Sequence, residues 1–426
     1  MQVRSSFSGS IITDQRSFGD ISVIDGPNRD GMIASPTMTM NFGIMNAVDY
    51  NKNLRSNTKG ALNSVLQDST GSIEQLTSLT EILSAKNIIY DVSKYVLPRV
   101  FKKKLLDQGS EIRIGTTSGT VVQELGRGAF GVVVLMNRGN RSAETMAVKA
   151  QVAAETLAWE YDLLKKLESR IPKQQTNQTF PFPKALAFAS LADGGLMSMT
   201  AASESGLNLV DVRNIYQIRL GSSVPELVAL HFTSRMLHHL EILHWHGKIL
   251  HCDVKPDNWV VTVDAADLVL VDFGRAVDLS ALANGAMDAM DVKLIGAACE
   301  KDMMCVAMRK ERPWSFDADS FGLLASLHVL LFGTHIEIEQ YGKRWMPKQH
   351  LRRYWNRNLL TEIFDTLLNT DEGTLIGSRP RSLRALRKKV DSYLAEQQTK
   401  LDSELGCLRR MLPSNRSQIH PVGGKK

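Results

Sequence analysis

The most constraining stretch of this 426-residue chain is His251-Cys252-Asp253-Val254-Lys255-Pro256-Asp257-Asn258, followed by Leu268-Val269-Leu270-Val271 and then Asp272-Phe273-Gly274. Trp259-Val260-Val261 and Leu268 to Val271 flank the polar run Asp264-Ala265-Ala266-Asp267, which predicts a β-hairpin. A hairpin brings the residues before its first strand close to those after its second. Two acidic residues, a lysine and an asparagine then share one place, a grouping suited to a hydroxyl, a phosphate and two metal ions. Asp253 is placed to take the proton of an attacking hydroxyl. Asn258 and Asp272 are hard oxygen ligands suited to Mg²⁺, and Lys255 can neutralise charge on a transferring phosphoryl group.

Composition narrows the setting. The hydrophobic fraction of 43% and charged fraction of 23% are those of an ordinary globular protein. No uninterrupted apolar run approaches the roughly 18–20 residues that cross a bilayer. Arg4 and Arg16 lie among polar residues, without the apolar core of a signal peptide. The four cysteines, Cys252, Cys299, Cys305 and Cys407, fit neither a disulfide framework nor a zinc pattern, so a reducing, intracellular setting is expected. Cys299 and Cys305 read as packing residues rather than redox partners. A net charge of +6 allows an acidic partner such as chromatin without requiring one.

Residues 1–70 are rich in Ser, Asn, Thr, Asp and Gly and are expected to be largely disordered. Within them, Ser35-Pro36-Thr37 reads as a proline-directed phosphorylation site. Asn57-Thr58-Lys59, leading into Ala61, Leu62, Val65 and Leu66, reads as a short binding motif or a plain linker. Over 71–107, apolar residues from Ile73 to Val96 recur at three- and four-residue steps and predict a helical extension, with Lys102 to Lys104 as a solvated face. Strand-like sequence follows at Ile112 to Ile114, Val121 to Leu125, Val132 to Leu135, Met146 to Lys149 and Leu196 to Thr200. A helix is expected from about 153 to 167, and Ala201 to Gly206 reads as a hinge. Beyond it, Pro225 opens a helix to Gly247, and further helices are expected around 319–332, 359–369 and 381–396. The basic run from Arg379 to Lys389 reads as the solvated face of the last of these. Six of the ten histidines fall between His231 and His251 and are expected to be mostly surface or partly buried side chains. The class is α+β: a small sheet-rich lobe over about 108–200, a larger helical lobe over about 201–400, and a tail over 401–426.

The small lobe carries Gly126-Arg127-Gly128-Ala129-Phe130-Gly131. Three glycines so spaced also occur in dinucleotide folds, but there a helix follows directly. Here Val132 to Leu135 continue as strand, which suits a flap over nucleotide phosphates whose backbone must come close. Lys149, in Ala147-Val148-Lys149, is then a phosphate contact, and Val133 and Ala147 complete the set expected to hold a nucleotide. The lysine needs an anion, and of Glu155 and Glu160 the second, beside Trp159 on the inward stripe, is favoured.

Taken together, these stretches resemble the protein kinase fold and, more narrowly, the Bub family of mitotic checkpoint serine/threonine kinases. His251 to Trp259 resembles that family's catalytic loop, where a small residue replaces the usual arginine. Trp159-Glu160 is similar to its regulatory helix, and Cys299 to Val306 with Arg312 to Gly322 and Leu331 to Thr334 to its activation segment and the helix after it. The resemblance spans about 108–400 and implies a bilobal kinase fold. It implies ATP and Mg²⁺ as cofactors and protein hydroxyls as acceptors, a histone tail among them. It also implies checkpoint and kinetochore partners and a place in the nucleus at the kinetochore, with the cytoplasm as a second location. Neither a nucleic-acid motif nor a membrane is implied.

Two departures stand out. Cys252 takes the place of the arginine that commonly holds a phosphorylated activation loop, and no Ala-Pro-Glu occurs between Gly274 and Asp319. Asp319 is expected to tie the catalytic loop from below. One branch of the family carries catalytically degenerate kinase domains, so an inactive kinase-fold scaffold is the rival expectation. A general intracellular kinase without a checkpoint role is the third.

Overall fold

The computed structural model describes residues 90–91, 106–114, 117–128, 131–138, 145–152, 154–172, 180–191, 194–262, 264–283, 288–296, 303–369 and 379–414. The expectations for residues 1–70, for Lys102 to Lys104 and for Cys299 lie outside these residues, as does most of the predicted first helix.

Seven strands form the sheet: β1 (Tyr90–Asp91), β2 (Glu111–Ile114), β3 (Thr117–Arg127), β4 (Gly131–Arg138), β5 (Thr145–Gln151), β6 (Ala185–Leu191) and β7 (Gly194–Thr200), in the order β1-β6-β7-β5-β4-β3-β2. β1 is a correction, since the helical extension was expected to run through it. Tyr90 and Asp91 instead pair in parallel with Ala189 and Ser190 of β6. An unpaired strand edge offers backbone donors and acceptors that a passing segment can satisfy. A partner about a hundred residues away leaves no trace in local periodicity. β6 was itself missed, because its alternation is carried by alanines.

Alternation gives the sheet two apolar faces. Val132, Val134 and Met136 on β4 join Met146, Val148 and Ala150 on β5, together with Ile112, Ile114 and Val121, in one small core. β2 also approaches β6 and β7, so the sheet curls around that core. Val133, Ala147 and Lys149 project from the other face, since Val133 pairs with Lys149 and Leu135 with Ala147. The main core lies on that side, where helix α1 (Ala154–Arg170) packs.

The second lobe is helical, as expected, with one helix more at each end. Helix α2 (Leu209–Leu220) was missed, although Asn208 and Asp211 form a capping box and Gly221 closes it at φ 62°. Its near-continuous burial blurs the amphipathic stripe. Helix α3 (Glu226–Ile242) begins after Pro225 and ends in a π-helical turn, Leu243–Gly247. Of the six clustered histidines, His231, His239, His244 and His251 are buried, contrary to the surface reading, because α3 and the loop after it cross the core.

Strand β8 (Ile249–Leu250) leads to the stretch from His251 to Asn258. The predicted hairpin is present as β9 (Trp259–Val261) and β10 (Leu268–Leu270), with Leu270 opposite Trp259. Strand β11 (Val277–Asp278) pairs back on β8. Helix α4 (Asp317–Phe332) runs through the lobe's centre, and a hairpin of β12 (Ile338–Tyr341) and β13 (Arg344–Pro347) follows. Helices α5 (Arg357–Leu368) and α6 (Arg379–Glu396) lie close to their expected places. Arg384 and Arg387, read as solvated, pair with the mostly buried Glu241 of α3. Helix α7 (Gln398–Met411) replaces the first part of the predicted tail and buries Leu401, Leu405, Leu408 and Met411.

Candidate active site

Lys149 projects from β5 into the cleft and is met from two sides. Its ammonium donates to Glu160 Oε2 at 2.6 Å and to Asp272 Oδ1 at 2.8 Å. Glu160 comes from α1 and is almost wholly buried, while the Asp272 side chain remains 46% exposed. Burial works against the Lys149 charge, but Asp272 and Glu160 outweigh it and hold the ammonium well above the ordinary lysine range. The Asp272 carboxyl is held far below its ordinary range, chiefly by Lys149. Burial pushes the Glu160 carboxyl up, against Lys149 and the amide of Phe273, which donates to Oε1 at 3.2 Å. At neutral pH the Lys149–Asp272 pair is ionised.

Opposite lies the loop from His251 to Asn258. Lys255 Nζ donates to Asp253 Oδ2 at 2.8 Å. Asn258 Nδ2 donates to the Asp253 carbonyl at 2.8 Å and to Oδ2 at 3.1 Å, which commits the amide nitrogen and leaves its oxygen as the acceptor. Arg275, just past Asp272-Phe273-Gly274, stands 3.8 Å from Asp253 Oδ1. Both aspartates therefore sit in a positive surround, with one oxygen of Asp253 engaged and the other turned to Arg275.

The loop is hung from below. Asp319, in the first turn of α4, is fully buried, and its carboxylate accepts from the amides of His251 (2.9 Å) and Cys252 (2.8 Å) and from His244 Nε2 (2.8 Å). Burial opposes ionisation there, yet these donors and the nearby histidines keep the carboxyl below its ordinary value. One turn further along α4, Gly322 lies so close to Val254 that a Cβ would sit 2.1 Å from the Val254 carbonyl oxygen. His251 links the two halves: Nδ1 accepts from the Asp253 amide at 3.3 Å, and Nε2 donates to Val271 O at 3.1 Å. Its ring meets Phe273 edge-on at 4.8 Å, and burial holds it below the ordinary histidine value, so it is neutral.

Two residues of the site adopt left-handed backbone, Cys252 at φ 60° and Asp272 at φ 68°. Non-glycine residues pay about 1–2 kcal/mol for this, so the surrounding bonds hold both in place. The glycine segment spans the turn from β3 to β4. Gly126 pairs with Val133, and Gly128 N donates to Gly131 O at 2.9 Å. Val133 and Ala147 line the same face as Lys149, as the strand register requires.

The comparisons agree with this geometry. Residues 120–293 match the protein kinase domain family. The chain is 29% identical, over 72% of its length, to the mitotic checkpoint serine/threonine-protein kinase BUB1 of Arabidopsis thaliana. It is 26% identical, over 68% of its length, to the Mus musculus protein of that name. The chain has the protein kinase fold and is similar to the Bub checkpoint kinases. The matches span 59% and 27% of those two relatives. Among solved structures, a BubR1 kinase domain shares the fold with a TM-score of 0.66 at 22% identity, covering 79% of this chain and 98% of that one.

Of the predicted site residues, the structure brings Lys149, Glu160 and Asp272 into one ion-paired group, and Asp253, Lys255 and Asn258 into one hydrogen-bonded group of this kinase domain. Gly126, Gly128, Gly131, Val133 and Ala147 lie on the strands and turn above Lys149. Asp319 ties the loop as expected. Cys305 is buried, and its thiol is pushed up to about 12 by that burial, in keeping with a packing role. Sequence reasoning missed Arg275 and the bridging role of His251. It also missed the tie from the Trp159 indole to the Ala276 carbonyl at 2.9 Å. The position of Arg275 directly after Gly274 was the available signal for the first. Nothing local marks the other two.

Proposed function

We propose that this chain transfers the γ-phosphate of MgATP to serine or threonine hydroxyls of proteins, as part of the mitotic spindle checkpoint. The observation that carries the reading is the Lys149 ammonium held between Glu160 and Asp272 at 2.6 and 2.8 Å, across the cleft from Asp253. A lysine so held stays charged and keeps one direction, which suits contact with phosphate oxygens.

Bound MgATP would supply the phosphoryl group and the two cations. The donor set fits it: Asp272 and the Asn258 oxygen are hard ligands, and the exposed Asp272 carboxylate faces the cleft. Lys149 orients the phosphates. Val133 and Ala147 provide an apolar surface for the base, and the turn from Gly126 to Gly131 brings backbone amides over the phosphates. Lys255 and Asn258 occupy Asp253 Oδ2, so Oδ1 takes the proton from the incoming hydroxyl. Lys255 also stands ready to offset charge on the moving group. A histone tail is the acceptor favoured by the family. Checkpoint and kinetochore proteins are the proposed partners, and the nucleus is the proposed place of action.

The test is transfer of radiolabelled phosphate from ATP to histone by the purified chain. Asp272→Asn is expected to lower it roughly 10²–10⁴-fold, the range for loss of a key catalytic group. Equal transfer by the two proteins would sink the enzyme reading and favour the scaffold.

A further inference from the structure

Helix α1 brings Glu160 to Lys149, and Leu157, Leu163, Leu164 and Leu167 bury its apolar face in the core shared with the second lobe. A polar stripe adds a second tie. Trp159, Asp162, Lys166 and Arg170 recur at three- and four-residue steps and so share one face of α1. Strand β11 lies against that face. Arg170 grips the Asp278 carboxylate with both terminal nitrogens, at 2.8 and 2.9 Å. Lys166 reaches Asp278 Oδ2 at 3.4 Å and is held by Asp162 at 2.7 Å. Arg170 Nη1 also donates to Gly247 O at 2.7 Å, so one guanidinium ties α1 to the end of the π-helical turn as well. The Asp278 side chain is only 1% exposed, so this bidentate, charge-assisted contact is largely screened from water.

The segment that follows makes the arrangement informative. From Gly274 to Trp314 the sequence holds no threonine or tyrosine and one serine, Ser280. Ser280 is exposed, and its amide donates to Asp278 Oδ1 at 3.1 Å. Ser315, directly after it, is buried, so a phosphate on this segment has one exposed place to go. We propose that the Asp278 carboxylate, gripped by Arg170 and Lys166, is a positioning latch that holds α1 on the second lobe and thereby keeps Glu160 on Lys149, with no phosphate on the activation segment. The proposal rests on the kinase reading above. The three residues act through Glu160.

The test uses the full chain and reads three quantities in parallel: phosphate transfer, binding of a fluorescent ATP analogue with Mg²⁺, and amide hydrogen exchange along α1 and at Phe273. Asp278→Asn keeps the shape of the side chain and removes its charge. It is expected to speed exchange along α1 and to lower kcat roughly 10- to 100-fold, with a much smaller change in KM for ATP. Arg170→Lys should retain part of the activity that Arg170→Gln loses. In a Glu160→Gln background, Asp278→Asn should cost nothing further, because the two changes act through one contact. Ser280→Ala should match the parent in all three measurements. Equal losses from Asp278→Asn in both backgrounds overturn the latch, as does parental exchange along α1. A loss in Ser280→Ala as large as that in Asp278→Asn overturns its independence of phosphate. Should the parent chain transfer no phosphate, the kinase reading fails, and exchange along α1 in Asp278→Asn still decides the latch: faster exchange supports it and unchanged exchange sinks it.

Discussion

The two halves of the cleft are held by different means. The loop from His251 to Asn258 hangs from Asp319, a fully buried carboxylate inside a central helix, with Gly322 letting helix and loop touch backbone to backbone. Glu160, by contrast, rides on a helix whose charged ties to the second lobe run through the partly exposed side chains of Lys166 and Arg170, beside the Trp159–Ala276 hydrogen bond. The first arrangement is part of the lobe's core, so breaking it costs folding. The second is a joint, and breaking its charged ties is expected to leave both lobes folded. A site of the proposed kind needs a floor that stays still and a roof that can close, and the sequence builds each with different contacts.

The contrast can be broken or sharpened by measurement. Asp319→Ala strands the amides of His251 and Cys252 and the His244 ring in the core. It should lower unfolding stability by about 3–5 kcal/mol in denaturant titration; a loss no larger than that of Asp278→Asn would erase the difference between core and joint. Gly322→Ala puts a methyl carbon against the Val254 carbonyl, so helix and loop must part. A loss of about 1–3 kcal/mol is expected, with phosphate transfer falling alongside it. Unchanged stability would mean that the close approach is relieved cheaply.

The smallest effect is a pH dependence carried by buried histidines of the second lobe. Folding holds His251 below its ordinary value, so the unfolded chain takes up a proton first as pH falls through about 6.5, and stability declines below that point. Burial moves His231, His246 and His328 the same way, and His238 to about 4. Protonation at Nδ1 of His251 would also break its bond from the Asp253 amide, so transfer should fall with stability. At the roof the signs differ. The lowered Asp272 loses its contribution only as pH drops below about 4, the raised Lys149 only above about 10, and the raised Glu160 works the other way, costing stability as pH rises above about 4.5. Thermal unfolding between pH 7.5 and 5.5 should therefore show a falling midpoint that Lys149→Met leaves in place. A flat profile would mean that the histidines are not buried neutral.

Much of the floor was legible in the sequence because its parts are close in the chain. Asp253, Lys255 and Asn258 sit within six residues, and the hairpin that returns the chain to Asp272 has strong apolar strands on both sides of a polar turn. The glycine turn, Lys149 and the helix bearing Glu160 were readable for the same reason. What escaped was assembled across distance. Arg170 and Asp278 are 108 positions apart, and the Trp159 indole and Ala276 are 117 apart. β1 finds its place only because β6 presents an edge. α2 and α7 escaped for other reasons, one being buried on most sides and the other lying beyond the stretch that resembles known kinases.

The turn between β3 and β4 shows how one sequence pattern can serve two unlike demands. At Gly131 a Cβ would meet the Ala150 carbonyl oxygen at 2.4 Å, whereas at Gly128 nothing among the described residues lies within 4 Å of that position. A side chain at the first would be refused by the sheet itself. At the second, the fold would accept it, and only an incoming ligand would feel it. Glycines that look alike on paper thus answer to different judges: one to the protein's own architecture, the other to whatever the cleft admits.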